Sequence, residues 1–387
     1  MTVRWETCAL ALAAGLKPEG GLDVEWRQAF AETPRHVFVP KFIDDTAEGG
    51  PTVDGNDPGQ RERWLGQVYA DMSLITQVRA AGADGTGARR ATSSSSMPSI
   101  MAWMLQALGV RAGDRVLEIG TGTGYNAALL AHRLGDGSVA SIDIDPELVD
   151  TARERLHAFG LVPTLVAGDG AAGVPAMAPY DAIIATAAVD HIPPAWIEQL
   201  RPGGTIVADL RGGFSGAITV LHKIDDRTVE GRCHTLDAAF MPMRRDVRYP
   251  LRYGPAAPLI IDRRNPARGT TTTDVRLVAD VRALRFAVEL QLGAAACDLF
   301  IGGDELVVAS ADGSWATASL TTGPDAHHTV QQGGPRRLWD SVEAAVQMWH
   351  RAGRPTVGAF GVTASTEKGE QRVWLHTPDS LFSWPLP

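Results

Sequence analysis

The chain has 387 residues, of which 44% are hydrophobic and 21% charged, with a formal net charge of -9. That apolar content is ample for a buried core and that length suggests two or three domains, and an acidic chain without a dense Lys/Arg run is a poor candidate for a binder of duplex nucleic acid. No apolar run is long enough to cross a bilayer, and Cys8, Cys233 and Cys297 lie too far apart for a CxxC pair or a metal-ligand spacing, which points to a reduced, cytoplasmic chain.

The apolar stretch Cys8–Gly15 follows Glu6 and lacks a basic flank, so it reads as a helix face running toward Leu16 and not as a signal peptide. Val24–Phe30 and Pro34–Pro40 read as further helix-like segments. Residues 76–90, rich in Gly and Ala without a period, read as a flexible loop. From residue 91 to about 223, strand and helix patterns alternate. Arg115–Ile119 is a short apolar run ending in glycines, hence a buried parallel strand. Tyr125–Leu134 is a helix with Ala127, Leu130, Ala131 and Leu134 on one face. Val139–Asp143 is a second strand, and Pro146–Phe159 a second helix with Pro in its first turn and Gly160 at its end. Thr164–Ala167, Asp181–Thr186 and Thr205–Asp209 complete a doubly wound parallel sheet. The turn-rich Gly254–Pro258 opens a separate α+β segment. It contains an amphipathic helix over Pro335–Gly353, with Leu338, Val342, Ala345, Val346 and Trp349 on one stripe. A hairpin of Phe360–Thr363 with Arg372–His376 follows. His327–His328 has no third ligand at metal spacing. The expected division is residues 1–90, 91–252 and 253–387.

Ligands of such a sheet bind at the carboxyl ends of its strands. Gly120, Gly122 and Gly124 form the turn after the first strand. They lack the GxGxxG spacing that sets a pyrophosphate on a helix N-terminus, and Glu118 places negative charge where that phosphate would sit, so a dinucleotide fits poorly. A cofactor with an amino-acid tail and a sulfonium cation tolerates the carboxylate. Asp143, ending the second strand, suits both ribose hydroxyls, and Asp169 within Gly168-Asp169-Gly170 suits the adenine amino group. Each acid alone is an ordinary solvated loop carboxylate; Glu118, Asp143 and Asp169 each at a strand end make a cofactor site.

These residues resemble class I methyltransferases, and within them the protein-L-isoaspartate O-methyltransferases. Pro34–Pro40 is similar to that family's PRHxFVP signature. Tyr69-Ala70-Asp71 with Leu74-Ile75 is similar to YxDxxLPI, Ser96-Met97-Pro98 to SxP, and Leu117–Ala128 to its first motif. Thr186-Ala187-Ala188, Arg201–Gly204 and Phe240–Met243 (at the place of an FVPL strand) match later motifs. The resemblance covers roughly the first two-thirds of the chain. It implies an α/β fold with a Rossmann-like doubly wound sheet, an N-terminal helical extension and a C-terminal α+β domain, with S-adenosyl-L-methionine as cofactor. It also implies contacts to that cofactor from Glu118, Gly120, Thr121, Gly122, Thr123, Gly124, Tyr125, Asn126, Asp143, Ile144, Gly168, Asp169, Gly170 and Thr186. Ser96 is the implied catalytic residue, positioning a substrate carboxylate, with Ser93, Ser94, Ser95, Pro98, Asp190 and His191 as further substrate contacts.

The sequence departs from the family in an insertion from Val78 to Arg90, in the run Thr92–Ser96 and in the C-terminal extension. The rebuilt polar loop and the C-terminal extension resemble a branch found with ATP-grasp peptide (graspetide) maturation and some lanthipeptide systems, in which Gly333–Asp340 is similar to a C-terminal signature. That branch implies a macrocyclised, ribosomally made precursor peptide as partner, one of whose ordinary aspartates is esterified and collapses to an aspartimide. Repair of isoaspartyl damage in proteins, and a non-catalytic cofactor-binding regulator, are the alternatives. No nucleic-acid or membrane partner and no metal are expected.

Overall fold

The computed structural model describes residues 4–45, 50–80, 89–245, 263, 265–293, 297–323, 325–367 and 370–387. The Gly254–Pro258 turn and residues 81–88 and 368–369 of the expected loops lie outside these. The chain opens with helices α1 (Trp5–Gly15), α2 (Val24–Glu32) and α3 (Arg35–Phe38), then strands β1 (Lys41–Ile43) and β2 (Thr52–Asp54), helix α4 (Arg61–Val68) and strands β3 (Leu74–Ala80) and β4 (Arg89–Ser95). These strands form an antiparallel sheet of order β2-β1-β3-β4. Residues 76–90 are therefore not simply a loop, and the serine run through Ser95 is extended strand. Leu74 faces Ser95 and Ile75 faces Ser94, with register shifts around Gln77. Serine hydroxyls on a strand carry no period of their own, and it is the pairing with β3 that fixes the extended form.

Helix α5 (Pro98–Ala107) leads into the central layer: β5 (Val116–Ile119), α6 (Tyr125–Leu134), β6 (Val139–Asp143), α7 (Pro146–Ala158), β7 (Thr164–Ala167), β8 (Tyr180–Val189), α8 (Pro194–Gln199), β9 (Leu200–Arg211), β10 (Gly216–Lys223) and β11 (Thr228–Cys233). Pairs β5/β6, β6/β7, β5/β8 and β8/β9 are parallel, whereas β9/β10 and β10/β11 are antiparallel. The chain winds outward from β5 to β7 and returns to β8 on the other side, so a crevice opens at the carboxyl end of β5. Strands β8 and β9 outrun the expected spans because β8 begins at Tyr180, opposite Leu200, and reaches Val189, opposite Leu210. Helix α6 buries Ala128 and Leu129 as well as its expected face, because α2 packs on its other side with Trp26 and Phe30 in the same core.

The remaining elements are β12 (Ala267–Thr271), α9 (Val275–Asp280), α10 (Arg282–Leu292), β13 (Cys297–Gly302), β14 (Glu305–Ser310), β15 (Trp315–Thr322), β16 (His328–Gly333), α11 (Leu338–Arg351), β17 (Phe360–Ser365), β18 (Arg372–Leu375) and β19 (Ser383–Pro385). Strands β12–β16 build a five-stranded antiparallel sheet of order β12-β16-β15-β14-β13. The expected helix and hairpin are both present as α11 and β17–β18, but the segment is not separate. Strand β17 pairs with β11, and β17–β19 complete a ten-stranded sheet of order β19-β18-β17-β11-β10-β9-β8-β5-β6-β7. Helix α10 stands between the two sheets, giving Phe286 and Ala287 to one core and Leu284 and Val288 to the other. Phe240–Met243 is not a full strand: Met241 and Met243 flank a single parallel bridge at Pro242, whose ring nitrogen has no proton to donate.

Phe360 is fully buried, edge-on to Phe286 at a ring separation of 5.3 Å. Phe360→Ala is expected to cost about 3–5 kcal/mol of stability in urea unfolding; a cost below about 0.5 kcal/mol, typical of a surface change, would show that β17 is peripheral to the core.

Candidate functional site

The crevice at the end of β5 is a cleft of ≈ 460 Å³. Its floor is the glycine turn. Gly120 has φ +100°, and a Cβ there would lie 2.7 Å from Thr186 Oγ1. Thr186 instead donates that hydroxyl to the carbonyls of Ile119 and Gly120, at 3.1 and 2.9 Å, and so ties β8 to the turn. Gly122 (φ +52°) donates its amide to Asp143 at 2.9 Å, and the other Asp143 oxygen accepts the Asp145 amide at 3.0 Å. Burial raises the Asp143 pKa against these two amide bonds.

Glu118 lies beneath the turn, with no exposed surface. It accepts from Asn126 Nδ2 at 2.8 Å and from Ser141, whose hydroxyl also meets Thr121 Oγ1 at 2.6 Å. Burial pushes its carboxyl up to about 7, since a charge with no cation beside it is costly in a dry site.

The cleft's second wall is β4. Ser93 Oγ and Ser94 O each lie 3.7 Å from where a Cβ on Gly122 would stand, so the serine strand sits on the glycine turn. Two sets of contacts hold it there. At the β6–α7 turn, Gln77 and Arg79 of β3 donate to Asp145 at 3.2 and 2.9 Å, and Thr92 donates to Gln77 at 2.7 Å. At the base of the strand, Arg35 is fully buried and donates to Ser95 Oγ and to the carbonyls of Ser95 and Ser96.

Of the residues expected at the site, Ser93–Ser96, Glu118, Gly120, Thr121, Gly122, Thr123, Tyr125, Asn126, Asp143, Ile144, Gly170 and Thr186 line this cleft. Gly124, Gly168, Asp169, Pro98, Asp190 and His191 do not. Gly124 packs on Ala152 at the start of α6, and Gly168 donates its amide to the Asp143 carbonyl at 2.8 Å. Asp169 caps the short turn Gly170–Ala172 by accepting from the Ala171 amide at 2.9 Å. Pro98 is buried as the first residue of α5. Asp190 and His191 pair with one another at 2.6 Å. Sequence reasoning assigned no role to Arg35, although it stands in the Pro34–Pro40 signature, nor to Arg244. Arg244 lines the cleft from beyond the Met241–Met243 bridge and donates to the Thr92 carbonyl at 3.4 Å. Among the described residues no group of three or more His, Cys, Asp or Glu side chains is placed to hold a metal ion, and no helix is long and apolar enough to cross a membrane.

A doubly wound sheet with this glycine turn, and acids at two adjacent strand ends, defines the fold of a class I S-adenosylmethionine-dependent methyltransferase. Residues 60–247 match the family model described as protein-L-isoaspartate(D-aspartate) O-methyltransferase, and the chain belongs to that family. Three relatives carry the name protein-L-isoaspartate O-methyltransferase. That of Ignicoccus hospitalis is 43% identical over 152 residues, covering 38% of this chain and 71% of the relative. That of Xanthobacter autotrophicus is 33% identical over 235 residues, covering 60% of this chain and 90% of the relative. That of Thermotoga maritima is 37% identical over 192 residues, 49% of this chain and 51% of the relative. A solved structure named protein-L-isoaspartate O-methyltransferase superposes with a TM-score of 0.53 at 21% identity, covering 97% of this chain and 100% of that chain. That likeness is one of fold, and with 97% of this chain covered it reaches well into the residues after 253, the C-terminal extension in which the sequence was read as departing from the family.

The raised Glu118 pKa has a definite sign. Between the ordinary value of 4.5 and about 7 the native state keeps a proton that the unfolded chain has released, so stability falls as pH rises through that window and is level above it. Glu118→Gln removes this contribution. The loss of unfolding free energy between pH 4.5 and 8 should be smaller in the variant by roughly 2–3 kcal/mol, read by urea unfolding at several pH values; parallel curves for the two proteins would show that Glu118 titrates normally.

Proposed function

We propose that this enzyme esterifies the side-chain carboxylate of an isoaspartyl residue in a peptide or protein, with S-adenosyl-L-methionine as methyl donor. The observation that carries the reading is the seating of the Ser93–Ser96 strand on the Gly120–Gly124 turn within one cleft. The names of the relatives support the same substrate class.

The residues present fit the cofactor. Among the described residues, Tyr125 Oη and Asn126 Oδ1 are buried at the cleft without a hydrogen-bond partner, and the buried Glu118 carboxyl has no cation beside it. Glu118 suits a positively charged ligand, Asp143 the ribose hydroxyls, and the turn amides and Thr121 the amino-acid tail. When bound, the cofactor supplies a methyl group activated by its sulfonium. The chain supplies alignment and a dry site. A substrate carboxylate is already ionised near neutral pH, so no general base is required. Ser96, with Ser93, Ser94 and Ser95, donates hydroxyl hydrogen bonds that aim one carboxylate oxygen; Ser95 Oγ accepts from Arg35 and so keeps its own proton to give. Met97, Ile100, Met101 and Phe240 wall the cleft and exclude water. Once released, the ester is attacked by a neighbouring backbone nitrogen, methanol leaves, and a five-membered imide forms.

An alternative substrate is suggested by the departure from the family between Val78 and Arg90, where Val78 pairs with Ala91 and Arg79 with Arg90 next to the serine strand. It is a macrocyclised, ribosomally made peptide whose ordinary aspartate ends as a stable aspartimide.

One assay tests both. Protein and S-adenosylmethionine are incubated with an isoaspartyl peptide, its aspartyl counterpart and a cyclised aspartyl peptide, and masses are followed. The expected outcome is a one-methyl gain on the isoaspartyl peptide alone. A net loss of one water from the cyclised peptide alone would replace this with the maturation reading, and no change in any peptide would sink both.

A further inference from the structure

Arg35 is an expensive residue to bury. It has no exposed surface and no hydrogen-bonded carboxylate, and burial lowers its pKa to about 10, which leaves it charged at neutral pH. An uncompensated buried guanidinium persists only where its donors meet acceptors. Those acceptors are almost all backbone, and they fall in two groups. One group is Val68, Ala70 and Met72, whose carbonyls accept at 2.9, 3.2 and 3.1 Å; these residues end α4 and lead into β3. The other is Ser95 and Ser96, whose carbonyls accept at 3.3 and 3.0 Å where β4 turns into α5. One rigid fork thus grips the entry and the exit of the same hairpin. Its guanidinium also stands 5.8 Å from the ring centre of Tyr125, in the first turn of α6. The glycine turn is held by other groups: Thr186, Asp143 and the Glu118 cluster.

We infer that Arg35 is a positioning residue for the methyl-transfer reaction: by clamping both roots of the β3–β4 hairpin it sets Ser96 and its serine neighbours against the cofactor turn. It touches neither substrate nor cofactor. The inference rests on the isoaspartyl methyltransferase reading for its kinetic consequence, but its structural content, control of the hairpin, does not.

The test uses the full chain with Arg35→Met and Arg35→Lys. Lysine keeps the charge but lacks the planar fork that reaches both groups of carbonyls. Two readouts are taken: amide hydrogen exchange over residues 90–96 and 118–124, and steady-state kinetics on the isoaspartyl peptide beside calorimetric binding of S-adenosylmethionine. Exchange in residues 90–96 should quicken while residues 118–124 stay protected. Then kcat/KM for the peptide should fall about 10²-fold, the cost of an ångström-scale misplacement, a much larger factor than any change in cofactor Kd. If Arg35→Met does not fold, Arg35→Lys decides alone. Unchanged exchange over residues 90–96, or loss of cofactor affinity in proportion to kcat/KM, overturns the inference. A wild-type protein that turns over no peptide defeats the substrate reading and leaves the exchange result to judge Arg35.

Discussion

The site is organised around a carboxyl group that the protein buries with no cation beside it among the described residues, so that burial raises its pKa to about 7. Glu118 ends β5 with no exposed surface, and only neutral donors, Asn126 and Ser141, reach it. Through Ser141 it is linked to Thr121, within the turn itself. A buried carboxylate satisfied by hydroxyl and amide alone is costly, and the natural relief is a cation. Asp143, one strand over, is already engaged by Gly122 and Asp145, so the two acids differ: one shapes the turn and the other waits beneath it. Thr186 closes the third side from β8. The turn is thereby fixed by three neighbouring strands before any ligand is present, which is the condition under which alignment contributes most to catalysis.

Everything else at the cleft is brought to that turn from a distance. The hairpin β3–β4 arrives from the N-terminal sheet and is fastened to Asp145 on one side and to Arg35 at its base. The Asp237–Arg244 stretch arrives from beyond β11 and is held by the bridge to Ala188. The glycine turn therefore sits on the parallel sheet, whereas the serine strand and the Asp237–Arg244 stretch sit on segments held by polar contacts.

How much of this was legible in the sequence depended on the kind of force involved. Strand β6 and helices α6 and α7 fall where apolar runs, Pro146 and the glycines place them, because burial on both faces of β6 and the proline and glycine at the helix ends leave a pattern in residue type. The hairpin did not show, since Thr92–Ser95 becomes a strand by pairing with β3 and nothing in a serine run announces a partner. The role of Arg35 was equally hidden: five of its contacts go to main-chain carbonyls, which every residue owns. Asp169, an acid at a strand end, has a structural task as well that its position did not announce, since one of its oxygens accepts the Ala171 amide. The hairpin of β17 and β18 was readable, but its place in the central sheet was not, because the partner edge lies on β11.

That last pairing has a consequence for how the molecule is made. Thr363 reaches Glu230 across 133 positions of chain, so the sheet that begins at Val116 cannot be finished until the final segment has left the ribosome. Until then β11 presents a bare hydrogen-bonding edge, the kind of surface that recruits a second chain. The intervening β12–β16 unit shares a core with α10 and α11, so the two partners of that pairing are joined through a body with its own packing. A chain cut before residue 360 would leave the edge of β11 unpaired.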